Sequence, residues 1–261
     1  MKKRKRSLPF ILATVLLAVT LSGILLIIGA YFFVRRNIDY SRDEIMFSSL
    51  QGGSGTKFYY NEGEDYTEYI PRELCVYSVG GLKQNWVSYA DISENIKIAF
   101  ISAEDRKFFE HRGVDFKRTA LAFFNYIFKT KPKFGGSTIT QQVIKNASGD
   151  NDNTVYRKIS EILRALHIED IHSKEEIFEL YMNIVPMGDG IIGVGMASEY
   201  YFGKSADDLS IEEAATIVGI TNAPSKYNPY RNPELCMRKR NNVLYAMLEC
   251  GHFDYEEYER L

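Results

Sequence analysis

Three stretches of this chain carry side chains whose type and spacing could do chemistry. The first is Glu104-Asp105-Arg106-Lys107-Phe108-Phe109-Glu110-His111-Arg112-Gly113. Read as the end of a helix followed by a Gly turn, it puts Glu104, Phe108 and His111 on one face at i, i+4 and i+7. A carboxylate beside an aromatic near a helix end can be partly desolvated, which suits it to take a proton as a general base. A charged, solvated helix end accounts for the same composition.

The second stretch is Gly135-Gly136-Ser137-Thr138-Ile139-Thr140-Gln141-Gln142-Val143-Ile144-Lys145-Asn146. Two glycines leading into a helix N-terminus expose backbone N–H groups, a natural anion cradle. Thr138, Gln142 and Lys145 fall on one face with Asn146 beside it, so hydroxyl, amide and ammonium donors converge on one strip suited to sugar hydroxyls and phosphate oxygens. An N-capped helix after a loop is the plainer alternative. The third stretch, Arg157 to Arg164, sets Arg157, Glu161 and Arg164 on one face with Lys158 next to Glu161 at i+3. Surface ion pairs of this kind contribute only about 0.3–0.5 kcal/mol each. The alternative is a basic patch, with a carboxylate inside it, that receives a diphosphate.

Other polar residues predict less. Ser173 to Gly188, with Lys174, Glu179, Tyr181 and Asn183, reads as a scaffold helix, and Tyr200 to Lys204 and Asn222 to Ser225 read as architectural. His167 and His172 lie near Glu169 and Asp170, but their spacing matches no standard ligand pattern, so no metal site is assigned. Cys75, Cys236 and Cys250 form neither a disulfide framework nor a zinc pattern; partly buried free thiols are the expectation, and a single pair formed outside the cell is the alternative.

The elements that must position these groups are mainly helical. Asp91 with Glu94 resembles a capping box opening a helix through about Phe109. Asp115 can cap a helix to about Phe128, Ser137 one to about Asn146, and Thr154 or Asn153 one to about Glu169. Ser173 with Glu176 and Ser210 with Glu213 are further capping boxes, and Asn232-Pro233 opens a late helix that Gly251 closes. Before them, residues 57–88 are rich in Tyr, Val and Thr, with turn signals at Asn61-Glu62-Gly63 and Gly80-Gly81, and predict a short β segment of two or three strands.

Leu8 to Val34 is an uncharged run of 27 residues. As a helix it is about 40 Å long, against a hydrocarbon core of about 30 Å. Lys2, Lys3, Arg4, Lys5 and Arg6 precede it, and only Arg35 and Arg36 follow at once. The positive-inside rule then puts the N-terminus in the cytoplasm and the remainder outside. A cleaved signal peptide would have a shorter apolar region and a small-residue cleavage site, whereas this run ends in Tyr31, Phe32 and Phe33. The expected organisation is a basic tail over 1–7, a transmembrane anchor over 8–34, a stalk over 35–56 ending in Gly52-Gly53-Ser54-Gly55, and one extracytoplasmic domain over 57–261.

The formal charge of the 261 residues is −2, but the first 36 hold seven basic groups and no acid. The rest carries 25 basic and 34 acidic groups, a balance of −9, which argues against nucleic-acid binding. Any anionic ligand must be held by a local cluster rather than by the overall field.

Taken together, these residues resemble the peptidoglycan glycosyltransferases of glycosyltransferase family 51, over roughly residues 57–261. Glu104-Asp105, Phe108, His111 and Gly113 are similar to that family's first motif, Gly136 to Gln142 to its second, and Arg157-Lys158 with Glu161 to its third. Lys174 to Gly188 and Ala197 to Lys204 are similar to the remaining two, with Val185-Pro186-Met187 departing where an aromatic usually precedes Gly188.

The resemblance implies a mainly α, lysozyme-like fold with a hydrophobic jaw near the bilayer. The aromatic stretch Phe123 to Lys129 either dips into the interface or is an ordinary buried helix. It also implies a reaction: lipid II is polymerised into β-1,4-linked glycan with inversion and loss of undecaprenyl diphosphate. Glu104 is then the base, and Glu161 orients the cations or helps hold a divalent ion, Mg2+ or Mn2+, at the diphosphate. Ser137, Thr138, Gln142, Lys145, Asn146, Arg157 and Lys158 bind substrate. The implied partners are lipid II, the growing glycan strand, membrane lipid and other cell-wall synthesis proteins. Two rival readings differ in their residues: a lysozyme-like glycan-cleaving enzyme needs no diphosphate patch, and a non-catalytic anchored scaffold need not keep both carboxylates. The chain stops at Leu261, early in an expected helix, and reads as monofunctional or as a piece of a bifunctional protein.

Overall fold

The computed structural model describes residues 8–41, 43, 44, 47, 56–61, 71–77, 86–127, 135–148 and 154–261. The basic tail, the Gly52–Gly55 segment, the turns at Glu62-Gly63 and Gly80-Gly81, Asn153, and Phe128-Lys129 lie outside the described residues. Helix α1 covers Leu8–Asn37. Strands β1 (Thr56–Asn61) and β2 (Pro71–Tyr77) pair antiparallel, from Thr56 opposite Tyr77 to Asn61 opposite Pro71. A 3-10 turn at Tyr89–Asp91 leads into a helical body. Among the described residues no helix is long and apolar enough to cross a membrane; in α1 the side chains are described only from Leu17 onward.

The body runs through α2 (Glu94–Glu104), α3 (Phe116–Ile127), α4 (Ile139–Ser148), α5 (Val155–Ile171) and α6 (Lys174–Ile184). After a small hairpin come α7 (Val194–Phe202), α8 (Ile211–Thr221), α9 (Pro233–Glu249) and α10 (Tyr255–Arg260). Helices α6 and α8 form the centre. In α8, Ala214, Ala215, Ile217, Val218, Gly219 and Ile220 are all buried, the pattern of a helix covered on every side. In α6, Phe178 and Tyr181 meet Phe100 of α2 edge-on, with ring centroids 6.5 and 5.6 Å apart.

Several helix starts match their caps. Asp115 accepts from Arg118 N at 2.9 Å, and Thr154 accepts from Arg157 N at 3.1 Å. Ser173–Glu176 and Ser210–Glu213 form reciprocal capping boxes, and Pro233 stands in the first turn of α9. Two starts differ. Ser93, not Asp91, caps α2, because the Asp91 carboxylate is taken by the Ser88 hydroxyl in the preceding turn. Thr138, not Ser137, caps α4: its hydroxyl accepts from Gln141 N at 3.2 Å, and its own N–H donates to Gln141 Oε1 at 2.9 Å.

Helix α2 also stops at Glu104, five residues short of the expected Phe109. Asp105 leaves the helical region at φ −157° and ψ 76° and turns its side chain inward, where it is fully buried. Glu104, Phe108 and His111 therefore do not form a helical stripe. Phe108 packs into the core against Phe178, and His111 folds back onto Asp105. The chain turns at Gly113 (φ +74°), where an added Cβ would sit 2.5 Å from the carbonyl oxygen of Ala165.

The described part of the expected stalk is docked. Phe47 is buried and stacks on His172, Tyr40 lies against His167, and Asp43 is gripped by Arg164 of α5. A polar, Gly-bounded composition had read as a connector because its partners lie more than a hundred residues away. The Val185–Gly188 segment likewise builds a hairpin: β3 (Pro186–Gly188) pairs with β4 (Ile191–Ile192) across Asp189-Gly190. Both turn residues have positive φ, 51° and 79°, as a type I′ turn requires.

Candidate active site

Helix α4 joins the parts of the site, and residues 135–138 build its entry. The expected anion cradle at its N-terminus is occupied by the protein's own carboxylate. Asp105 Oδ2 accepts from Ile139 N at 3.0 Å and lies 2.9 Å from His111 Nε2, while Oδ1 faces Arg118 at 3.4 Å. A carboxylate only accepts, so His111 Nε2 carries the shared hydrogen. Arg118 also donates to the carbonyls of Gly135 and Ser137, tying the glycine loop to α3.

Glu104 is the half-buried last residue of α2. Both of its oxygens are held by amides: Oε2 accepts from Gln142 Nε2 at 3.0 Å and Oε1 from Asn222 Nδ2 at 2.5 Å. Gln142 is oriented in turn by the Tyr181 hydroxyl, which donates to its Oε1 at 3.1 Å. Complete burial, reinforced by the Glu104 and then the Asp105 carboxylate, holds the Tyr181 phenol well above its ordinary range, so it remains a donor. Glu104 opens onto a cavity of about 240 Å³ lined also by Arg106, Lys107, Asp115, Arg118 and Leu121.

The cation cluster meets the loop that starts α4 at Ser137. Lys158 Nζ donates to Ser137 Oγ at 3.0 Å and to Glu161 Oε1 at 2.5 Å, and Arg157 donates to Glu161 Oε2 at 3.2 Å. Glu161 is 5% exposed, so this carboxylate is committed to its two cations. Arg157 Nε is buried and has no acceptor among the described residues. A small cavity of about 30 Å³ beside it is lined by Lys145, Tyr156, Arg157, Ser160, Glu161 and Arg164.

The structure thus brings together most of the residues singled out by sequence. Glu104 joins Gln142, while Ser137, Lys145, Arg157, Lys158 and Glu161 form the neighbouring group. Thr138 is a correction: it is fully buried, and its hydroxyl donates to Gly113 O at 2.6 Å, so it builds the loop and is closed to a ligand. Asn146 is half-buried and is not among the residues lining either cavity. Among the described residues no group of three or more His, Cys, Asp or Glu side chains is placed to hold a metal ion. His167 and His172 pair instead with Glu44 and Glu176. Sequence reasoning missed Arg118, Asn222 and Lys239. Asn222 stood in a turn and Lys239 in a charged helix, and nothing local in either signals a partner 118 or 17 residues away.

The transglycosylase family profile matches residues 73–248, more than half of the chain. The chain is 42% identical over 183 residues to penicillin-binding protein 1A of Aquifex aeolicus, covering 70% of this chain and 25% of that protein. It is 41% identical over 180 residues to penicillin-binding protein 1A of Pseudomonas aeruginosa, covering 69% and 22%. With penicillin-binding protein 2a of Streptococcus pneumoniae it shares 40% over 177 residues, covering 68% and 24%. The chain therefore spans about a quarter of the length of these relatives. The crystal structure of penicillin-binding protein 1A from Haemophilus influenzae matches with a TM-score of 0.39 at 22% identity, over 68% of this chain and 17% of that one. With its first three motifs assembled around one helix and the profile spanning the helical body, the chain belongs to the transglycosylase family.

Proposed function

We propose that the chain is a peptidoglycan glycosyltransferase that polymerises lipid II into β-1,4-linked glycan and releases undecaprenyl diphosphate. One observation carries this reading: a carboxylate held by two amides, Glu104, is linked through α4 and its entry loop to the Arg157–Lys158–Glu161 cluster. An α-linked donor becomes a β-linked product, so the attacking hydroxyl must enter and the diphosphate must leave on opposite faces of the reacting carbon. A base on one side and cations on the other suit that stereochemistry.

The acceptor's 4-hydroxyl would give its proton to Glu104, whose carboxylate keeps lone pairs beyond the two taken by Asn222 and Gln142. As the donor's C1–O bond lengthens, charge grows on the diphosphate. Lys158, Arg157 and the exposed Lys145 would offset it. Ser137 would position Lys158, and Asn146 a sugar hydroxyl. Glu161 orients the two cations. Both of its partners are cations at hydrogen-bond distance, and that positive surrounding repels a divalent ion, so the site does not fit Mg2+ or Mn2+ and no step is assigned to such an ion.

Helix α1 would be the membrane anchor, with the N-terminus inside. Its 30 residues are about 45 Å long, against about 30 Å of hydrocarbon, and five basic residues precede it. Phe116, Leu121 and Phe124 expose an apolar face on α3 that would meet the same bilayer. Anchoring confines enzyme and lipid-linked substrates to one surface and raises their effective concentration. The test is to incubate the full chain with labelled lipid II and look for a ladder that muramidase digests. Glu104→Gln should fold and give no ladder; polymer at the wild-type rate from that variant would remove Glu104 as the base.

A further inference from the structure

Glu104 is held from a direction that its motif does not supply. Its Oε1 partner, Asn222, is the residue that ends α8, and Asn222 Oδ1 accepts from Lys239 Nζ of α9 at 2.7 Å. Asn222 is exposed, and without a tether its side chain would exchange the carboxylate for water. Lys239 provides the tether. An ammonium has three donors and no acceptor, so only the amide oxygen can face it; a carboxylate only accepts, so only the amide nitrogen can face Glu104. A single orientation of Asn222 satisfies both neighbours. The resulting chain, ammonium to amide to carboxylate, has its dipoles aligned head to tail, an arrangement in which each bond polarises the next.

Helix packing keeps Lys239 in place. Helix α8 carries Gly219 where it crosses α9, and a Cβ there would come 3.2 Å from Lys239 Cγ. The missing side chain makes room for the lysine stem. The Lys239 ammonium also lies 5.9 Å from the Tyr227 ring centroid. The other oxygen of Glu104 has a parallel support, in which the Tyr181 hydroxyl orients Gln142. The carboxylate is thus held by two amides, each fixed by an outer donor from a different helix.

We propose that Asn222 and Lys239 are positioning residues for Glu104: Lys239 fixes the Asn222 amide, and the amide fixes the plane in which Glu104 receives the proton. This rests on Glu104 being the base. The experiment measures kcat and KM for lipid II polymerisation by the full chain. The variants are Lys239→Met, which keeps the apolar stem, Asn222→Ala, the double variant, Lys239→Arg and Glu104→Gln. Lys239→Met and Asn222→Ala should each lower kcat about tenfold, with KM and melting temperature nearly unchanged. The double variant should be no slower than the slower single one, because the two residues act as one unit. Lys239→Arg, which still offers only donors, should recover most of kcat. Wild-type kcat in Lys239→Met and Asn222→Ala, with Glu104→Gln inactive, overturns the positioning role and leaves the base assignment standing. So does a loss that simply follows the folded fraction and is additive in the double variant. Wild-type activity in Glu104→Gln removes the base, and the positioning role with it.

Discussion

Asp105 Oδ2 accepts the backbone hydrogen of Ile139 at 3.0 Å, so the residue after Glu104 closes the N-terminus of the helix that carries Gln142. The two motifs are therefore one unit. The end of α2 supplies the carboxylate, and its next residue sets where α4 begins. An anion at a helix N-terminus is favoured by the free N–H groups and the helix dipole, and this anion is fully buried beside Arg118 and His111.

Asp105→Asn should therefore cost stability as well as activity. The amide must turn its nitrogen either to the Ile139 and His111 donors, which share Oδ2, or to the Arg118 guanidinium on Oδ1, so at least one donor around this buried side chain loses its acceptor, at about 1–3 kcal/mol. Thermal unfolding should show a lower midpoint. Polymerisation should fall further than the folded fraction does, because Gln142 and Glu104 move apart when α4 shifts. An unchanged midpoint would mean that Asp105 does not organise α4.

The cation cluster should respond differently to the loss of each partner. Lys158 is partly exposed at 35%, and Lys158→Ala should leave the midpoint within a few degrees while lowering kcat/KM by roughly a hundredfold, the scale of one lost transition-state donor. Glu161 is buried between two cations, and Glu161→Ala leaves Arg157 and Lys158 facing each other. That variant should lose about 3 kcal/mol or more of stability, and Glu161→Gln less. Measuring kcat/KM and unfolding midpoints on the same preparations checks both. Equal destabilisation by Lys158→Ala and Glu161→Ala would contradict this asymmetry.

Much of this was legible in the sequence, for physical reasons that also mark the boundary. Capping signals are local, so Asp115, Thr154, Ser173 and Ser210 could be read directly. The Arg157–Glu161 pair is set by helical spacing alone. What failed involved distant partners. The end of α2 depends on where the Asp105 side chain goes, the Gly135 loop on Arg118, and the support of Glu104 on residues near the end of the chain. Helical periodicity continued smoothly past Glu104, because Phe108 is apolar for a tertiary reason, its packing on Phe178. Asp189-Gly190 was a readable hairpin signal, hidden by its two very short flanking strands.

Asp43 and Arg164 tie the segment after α1 to the helix that carries Arg157 and Glu161. Asp43 is fully buried, and Arg164 Nε donates to both of its oxygens at 2.8 Å, with a further bond from the terminal nitrogen. Asp43→Ala leaves a largely desolvated guanidinium and should cost about 3 kcal/mol. Adding Arg164→Leu should recover part of that loss, because an unpaired charge is worse than none. Hydrogen exchange across α5 reports the effect directly: its amides should exchange faster in Asp43→Ala than in the double variant. Equal exchange in both would show that the pair does not brace α5.

Tyr201 provides a test at high pH. Its hydroxyl donates to Met187 O at 2.8 Å and so secures the β3 strand against α7. Burial first, then the Asp189 carboxylate, push its phenol up to about 12 from an ordinary 10.0. Below pH 10 the folded and unfolded chains both keep the proton, and its contribution to stability is complete. Between about 10 and 12 the unfolded chain loses the proton first, so this contribution declines as pH rises and is gone above the folded value. Tyr201→Phe should cost about 1–2 kcal/mol near neutrality through the unpaired Met187 carbonyl. The variant should also lose stability less steeply than the wild type across that alkaline interval. Denaturant titrations at pH 8, 10 and 11.5 compare the two slopes. Parallel slopes would place the alkaline sensitivity in other groups and leave Tyr201 only its hydrogen bond.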